Sequence, residues 1–184
     1  MNTIIEKASW RKAVPFTVFF VAMYFLINNT AFGVAGLLQI TDGANILDFE
    51  FGYMAAEALD MLIALGEQGR NFYLTRIIPI DFPFPFSYML CYVGWIGLLL
   101  RHIAPKGYMK YLLLVPITAM LFDWIENIAV IVMLKSYPSL PKWAIMTAST
   151  SGILKMTCII ASVAAIGALL LVFFIKRKKK ENTY

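Results

Sequence analysis

Residues 111–134 read YLLLVPITAMLFDWIENIAVIVML, an apolar run interrupted by Asp123, Glu126 and Asn127. A membrane-spanning helix needs roughly 20 apolar residues, at about 1.5 Å rise each across a hydrocarbon core about 30 Å thick. This run is long enough, and three others match it, at about residues 13–40, 84–100 and 143–175. The second is reached through a Pro-rich stretch containing Pro79, Pro83 and Pro85. The expected fold is an all-α integral membrane protein, a four-transmembrane-helix bundle forming one polytopic domain over residues 1–184.

Composition agrees with that reading. Hydrophobic residues make up 60% of the chain and charged residues 15%, against about 45–50% and about 25% in soluble domains. Mean hydropathy is +0.73. Aromatics at 15% argue against disorder, and the Gly and Pro residues follow no collagen period. Cys91 and Cys158 both lie in apolar runs and form no disulfide framework. The first span follows Lys7, Arg11 and Lys12 as a signal peptide would. Its apolar run is too long for one and no small-x-small site follows, so it reads as a retained helix.

Orientation follows from Lys and Arg near the span ends. Eleven lie in the N-terminal segment, the second connection and the tail: Lys7, Arg11, Lys12, Arg101, Lys106, Lys110 and residues 176–180. The first and third connections hold Arg70, Arg76, Lys135 and Lys142. Both termini are therefore expected in the cytoplasm of a bacterial inner membrane. The tail at 176–184 reads as a stop-transfer anchor, so the pI of about 9.2 implies no nucleic-acid partner.

The connection at residues 41–76 carries six of the eleven acids: Asp42, Asp48, Glu50, Glu57, Asp60 and Glu67. Within it, Tyr53–Leu65 reads as an extracytoplasmic amphipathic helix, with Ala55, Leu59, Leu62 and Leu65 on one face. Its acidic polar face suits a cap over the bundle better than a helix lying on lipid.

Charges inside spans are costly and mark function. Asp123, Glu126 and Asn127 share a helical face by their i, i+3, i+4 spacing. Two such carboxylates repel unless a proton or a cation intervenes. Residue counting puts Lys155, Asn28 and Asn29 at a similar depth, and Thr147, Ser151 and Lys155 form a polar stripe down the fourth span. Arg76 and Asp81 stand at the outer end of the second, where Asp81 serves either the site or a helix cap. The expected catalytic set is Asp123, Glu126 and Lys155. The expected ligand-binding set is Asn28, Asn29, Arg76, Asp81, Asn127 and Ser151.

Several chemistries drop out. One histidine, His102, excludes bis-His haem and His-rich di-iron sites. No CxxC, GxGxxG or phosphate loop occurs. A hard-oxygen metal site at Asp123, Glu126 and Asn127 is opposed by Lys155, so neither metal nor cofactor is expected. A Ser151–Lys155 dyad is disfavoured because Glu126 would keep the lysine charged. The stretch Asn29-Thr30-Ala31-Phe32-Gly33 faintly resembles a motif of the lipoprotein signal peptidase family. That family needs a second Asp at the start of its last helix, where this chain has Ser and Thr, so its aspartyl chemistry does not carry over.

The expected function is an outer-facing polar pocket for a small amphiphilic or lipid-like ligand, with Asp123 as the proton-carrying acid. The alternative is a small non-enzymatic accessory subunit of a larger membrane complex. The partners implied are a membrane lipid or small hydrophobic ligand, and a membrane-protein partner or second copy.

Overall fold

The computed structural model describes residues 1–103 and 107–181, which are mostly helical and contain no strand. Lys106 and residues 182–184, used in the orientation count and the tail, lie outside them. Helix α1 (Asn2–Lys7) leads into α2 (Trp10–Asn29), and a break separates α2 from α3 (Val34–Ile40). A 3₁₀ turn at Leu47–Phe49, then α4 (Ala55–Ala64) and α5 (Gly66–Phe72), make up most of the long connection. A π-helical turn (Tyr73–Ile77) and α6 (Ile78–Asp81) run into α7 (Phe84–Ile103). After a 3₁₀ segment (Gly107–Leu113) come α8 (Leu114–Ser136) and α9 (Lys142–Glu181).

Four stretches are long and apolar enough to cross a membrane: Trp10–Ile40, Gly66–Ile103, Gly107–Ser136 and Lys142–Lys178. Val18, Phe25, Ile160 and Leu171 are each more than half exposed on the outside of the bundle. In water such apolar surface would be a liability. The chain is thus a helical bundle of membrane type.

Three features differ from the expected spans. The first is not one rod: Thr30 turns its hydroxyl back to the Leu26 carbonyl at 2.7 Å, and the helix stops. The chain then folds so closely on itself that a Cβ on Gly33 would collide with the Ile27 carbonyl. The Pro-rich stretch is helical, continuing from α5 to α7. Pro79, Pro83 and Pro85 lack N–H donors, and the wide π turn lies just before the first of them. Finally, α9 has 40 residues, about 60 Å at 1.5 Å per residue, roughly twice a hydrocarbon core.

Helices α8 and α9 form the most extensive pair, and α7 packs against both. Helix α2 packs chiefly on α7 and makes few contacts with α9. At one end, Arg101 Nη1 donates to the Ala8 carbonyl at 2.6 Å, and Lys176 Nζ donates to the Ile103 carbonyl at 2.6 Å.

The long connection covers the opposite mouth. Leu37, Leu47, Leu62, Leu65, Tyr73 and Ile77 merge with Val130 and Met133 of α8 and Ala144 and Ala148 of α9 in one buried cluster. Helix α4 lies within the expected Tyr53–Leu65 but buries Ala58 and Leu62, while Ala55 is exposed. Of the expected face, Leu62 and Leu65 are buried and Leu59 is half-buried, with Ala58 in place of Ala55. Arg70 fastens this cap, donating to the Leu62 carbonyl at 2.7 Å and stacking 3.7 Å above the Tyr137 ring.

The break after α2 yields a direct check. Gly33→Ala must push the backbone away from Ile27 and is expected to lower stability by about 1–3 kcal/mol, read as reduced thermal or denaturant stability in detergent. An unchanged melting temperature would show that the reversal does not need glycine.

Candidate functional site

The helical spacing on α8 places Asp123, Glu126 and Asn127 side by side, and all three are buried. Lys155 reaches them from α9. The two helices come close because residue 152 is glycine: a Cβ there would stand 2.7 Å from Glu126 Oε1. Lys155 Nζ lies 2.6 Å from Glu126 Oε2. It also lies 3.4 Å from Oδ2 of Asp48, an acid assigned to the cap rather than the site.

Asp48 is carried inward by the 3₁₀ turn Leu47–Phe49, where Ile46 and Leu47 are buried anchors. Its Oδ1 accepts from the Tyr73 hydroxyl at 2.7 Å. Asp81, at the end of α6, is buried and also faces the group. One oxygen from each of Asp48, Asp81 and Asp123 lies within 4.8 Å of the others. Asp123 accepts from the Tyr88 hydroxyl at 3.1 Å and from Asn127 Nδ2 at 3.3 Å. The Tyr53 hydroxyl is buried without a hydrogen-bond partner among the described residues. Burial, then the Glu126 and Asp48 carboxylates, push it well above the usual tyrosine range, so it stays neutral.

Four carboxylates thus converge on one lysine. Lys155 pairs with Glu126 and Asp48, while Asp81 and Asp123 have no ion-pair partner among the described residues. Removing charge from water is expensive, and a buried charge needs a partner or extra hydrogen bonds. The tyrosines and Asn127 supply donors, but donors do not cancel net charge.

A cavity of about 210 Å³ opens against this group. Asp48, Asp81, Asp123 and Lys155 form its polar end, and Ile27, Val34, Ile46, Phe84, Met156 and Ile159 its apolar walls. It spans the gap where α2 and α9 fail to pack. The polar stripe of α9 does not lead into it, since neither Thr147 nor Ser151 is among its walls.

The residues expected at the site divide accordingly. Asp81, Asp123, Glu126, Asn127 and Lys155 come together. Asn28 lines the cavity, although its amide nitrogen is turned back to the Tyr24 carbonyl at 3.0 Å. Asn29 is exposed at the end of α2, and Arg76 is exposed with its guanidinium 6.0 Å from the Phe32 ring. Ser151 is buried on α9, but no hydrogen bond joins it to Lys155, and Glu126 occupies the lysine as expected. Glu126 itself does not line the cavity and is paired with Lys155 behind it.

Asp48, Tyr73 and Tyr88 were not expected at the site. Asp48 sits between apolar neighbours in Ile46-Leu47-Asp48-Phe49, which is the same signal that singled out Asp123. It was obscured by five other acids in the same connection. The chain matches no family model, no curated protein and no solved structure.

Lys155→Met leaves the carboxylates with no cation and is expected to cost about 3–5 kcal/mol of stability. Gly152→Ala forces α9 off Glu126 and is expected to cost about 1–3 kcal/mol. Denaturant unfolding in detergent measures both. A Lys155→Met protein as stable as wild type would mean that the lysine does not compensate the buried acids.

Proposed function

We propose that this chain binds a small amphiphilic, lipid-like molecule in the gap between its first and fourth spans. The observation that carries this reading is the lining of the cavity, acidic and basic at one end and apolar along its walls. Ligand sites combine apolar walls with a few convergent polar groups in this way. At about 210 Å³ the cavity is smaller than the roughly 300–1,000 Å³ of drug-sized pockets. It suits a head group and the first carbons of a chain, with the remainder leaving between α2 and α9 into lipid.

Within this proposal Asp81 and Asp123 are the groups that exchange a proton with the ligand, because both face the cavity and neither is held by an ion pair. We place the protein in a bacterial cytoplasmic membrane with both termini inside, from the distribution of Lys and Arg. The cap over the bundle is then extracytoplasmic.

Native mass spectrometry of the detergent-purified protein is expected to show a co-purifying lipid. Met156→Trp, which fills the cavity from a half-buried position on α9, is expected to lose that adduct while melting within a few degrees of wild type. A variant that keeps the adduct, or a wild type that carries none, defeats the proposal. Alkaline phosphatase fused after residue 184 is expected to be inactive in bacterial cells, and an active fusion would reverse the orientation.

A further inference from the structure

We infer that Asp48, Asp81 and Asp123, together with Asn127 Oδ1, bind a divalent cation of the hard, oxygen-seeking class. The spacing fits: one oxygen from each of the three acids lies within 4.8 Å of the others. Three oxygens spaced evenly around one calcium ion are about 4.0–4.5 Å apart, and around magnesium about 3.5–3.6 Å. At the 4.8 Å limit the triangle contracts slightly to hold a calcium-sized ion, and further for magnesium.

A second observation points to a ligand. Asn127 is completely buried, and its amide nitrogen lies against Asp123 at 3.3 Å. Its carbonyl oxygen has no hydrogen-bond partner among the described residues, although it too is buried. Buried carbonyl oxygens are ordinarily paired, and a hard cation takes amide and carboxylate oxygens together.

The charge balance leads the same way. Lys155 meets the Glu126 carboxylate at 2.6 Å and touches Asp48 only at 3.4 Å, leaving Asp81 and Asp123 unmatched. Sequence reading assigned no metal because Lys155 would compete within the set Asp123, Glu126 and Asn127. The folded chain places Glu126 against the lysine and brings in Asp48 and Asp81, so Asp48 alone is shared between the lysine and the cation. The three acids line the cavity, which lets a cation enter from it. If the ligand-binding proposal holds, the cation takes the place of the exchangeable proton on Asp81 and Asp123 and selects an anionic head group.

The test uses full-length protein in detergent, stripped with EDTA and titrated with Mn²⁺ while free ion is counted by electron paramagnetic resonance. One saturable site is expected. At a hundredfold excess over Kd, Mn²⁺ should raise the melting temperature by roughly 5–10 °C. Asp81→Asn and Asp123→Asn should each weaken binding by more than about 100-fold. Without metal they should melt at or above the stripped wild type, because each removes like-charge repulsion. A wild type that takes up no saturable Mn²⁺ overturns the inference whether or not the variants fold. So do variants that bind as wild type does. Lipid adducts on a protein that binds no Mn²⁺ would leave the amphiphile proposal standing alone, and Mn²⁺ uptake by a protein without adducts would do the reverse.

Discussion

Lys155 is the hinge of this molecule. It is the cation that Glu126 and Asp48 share, and it joins α9 to both α8 and the cap. Much of the rest follows from bringing it there. Gly152 removes the side chain that would hold α9 away from Glu126. The 3₁₀ turn carries Asp48 down to the lysine, and Tyr73 holds the other oxygen of that acid. The cap is therefore attached to the bundle both by apolar packing and by a buried ion pair. In a membrane this matters, because lipid tails are as apolar as leucine and helix association gains little from the hydrophobic effect.

The same arrangement leaves an imbalance. A buried pair with its hydrogen bonds satisfied is a plausible structural element on its own. Glu126 and Lys155 alone would fit that description. Asp81 and Asp123 do not, since two further carboxylates add charge without adding a counter-charge. Stability alone gives no reason to retain them, and they stand where the bundle is open. The excess acid and the cavity coincide, which is why both functional proposals converge on this wall and not on the ion pair behind it.

The opening itself comes from the first span. A straight helix from residue 13 to 40 would have run along the bundle to the cap. Instead α2 ends at Asn29, the chain reverses tightly at Gly33, and α3 packs into the cap. Among the long helices, α2 packs chiefly on α7.

Sequence alone determined the class of fold, because about 20 consecutive apolar residues can satisfy their backbone in lipid only as a helix. It also identified the central pair, since helical periodicity aligns Asp123, Glu126 and Asn127, and counting along two spans sets Lys155 level with them. Asp81 was legible too, though its site role and a capping role looked alike. Which other residues share that layer was decided by tertiary structure. Asn29 and Arg76 have depths that suggested the site, but the end of α2 and the rotation of the π turn leave both exposed. Asp48, Tyr73 and Tyr88 belong to it because a loop and two helical faces converge there. The physical reason is that periodicity and rise are local properties of one helix. The path of a connection and the point where a helix stops depend on contacts between residues far apart in the chain.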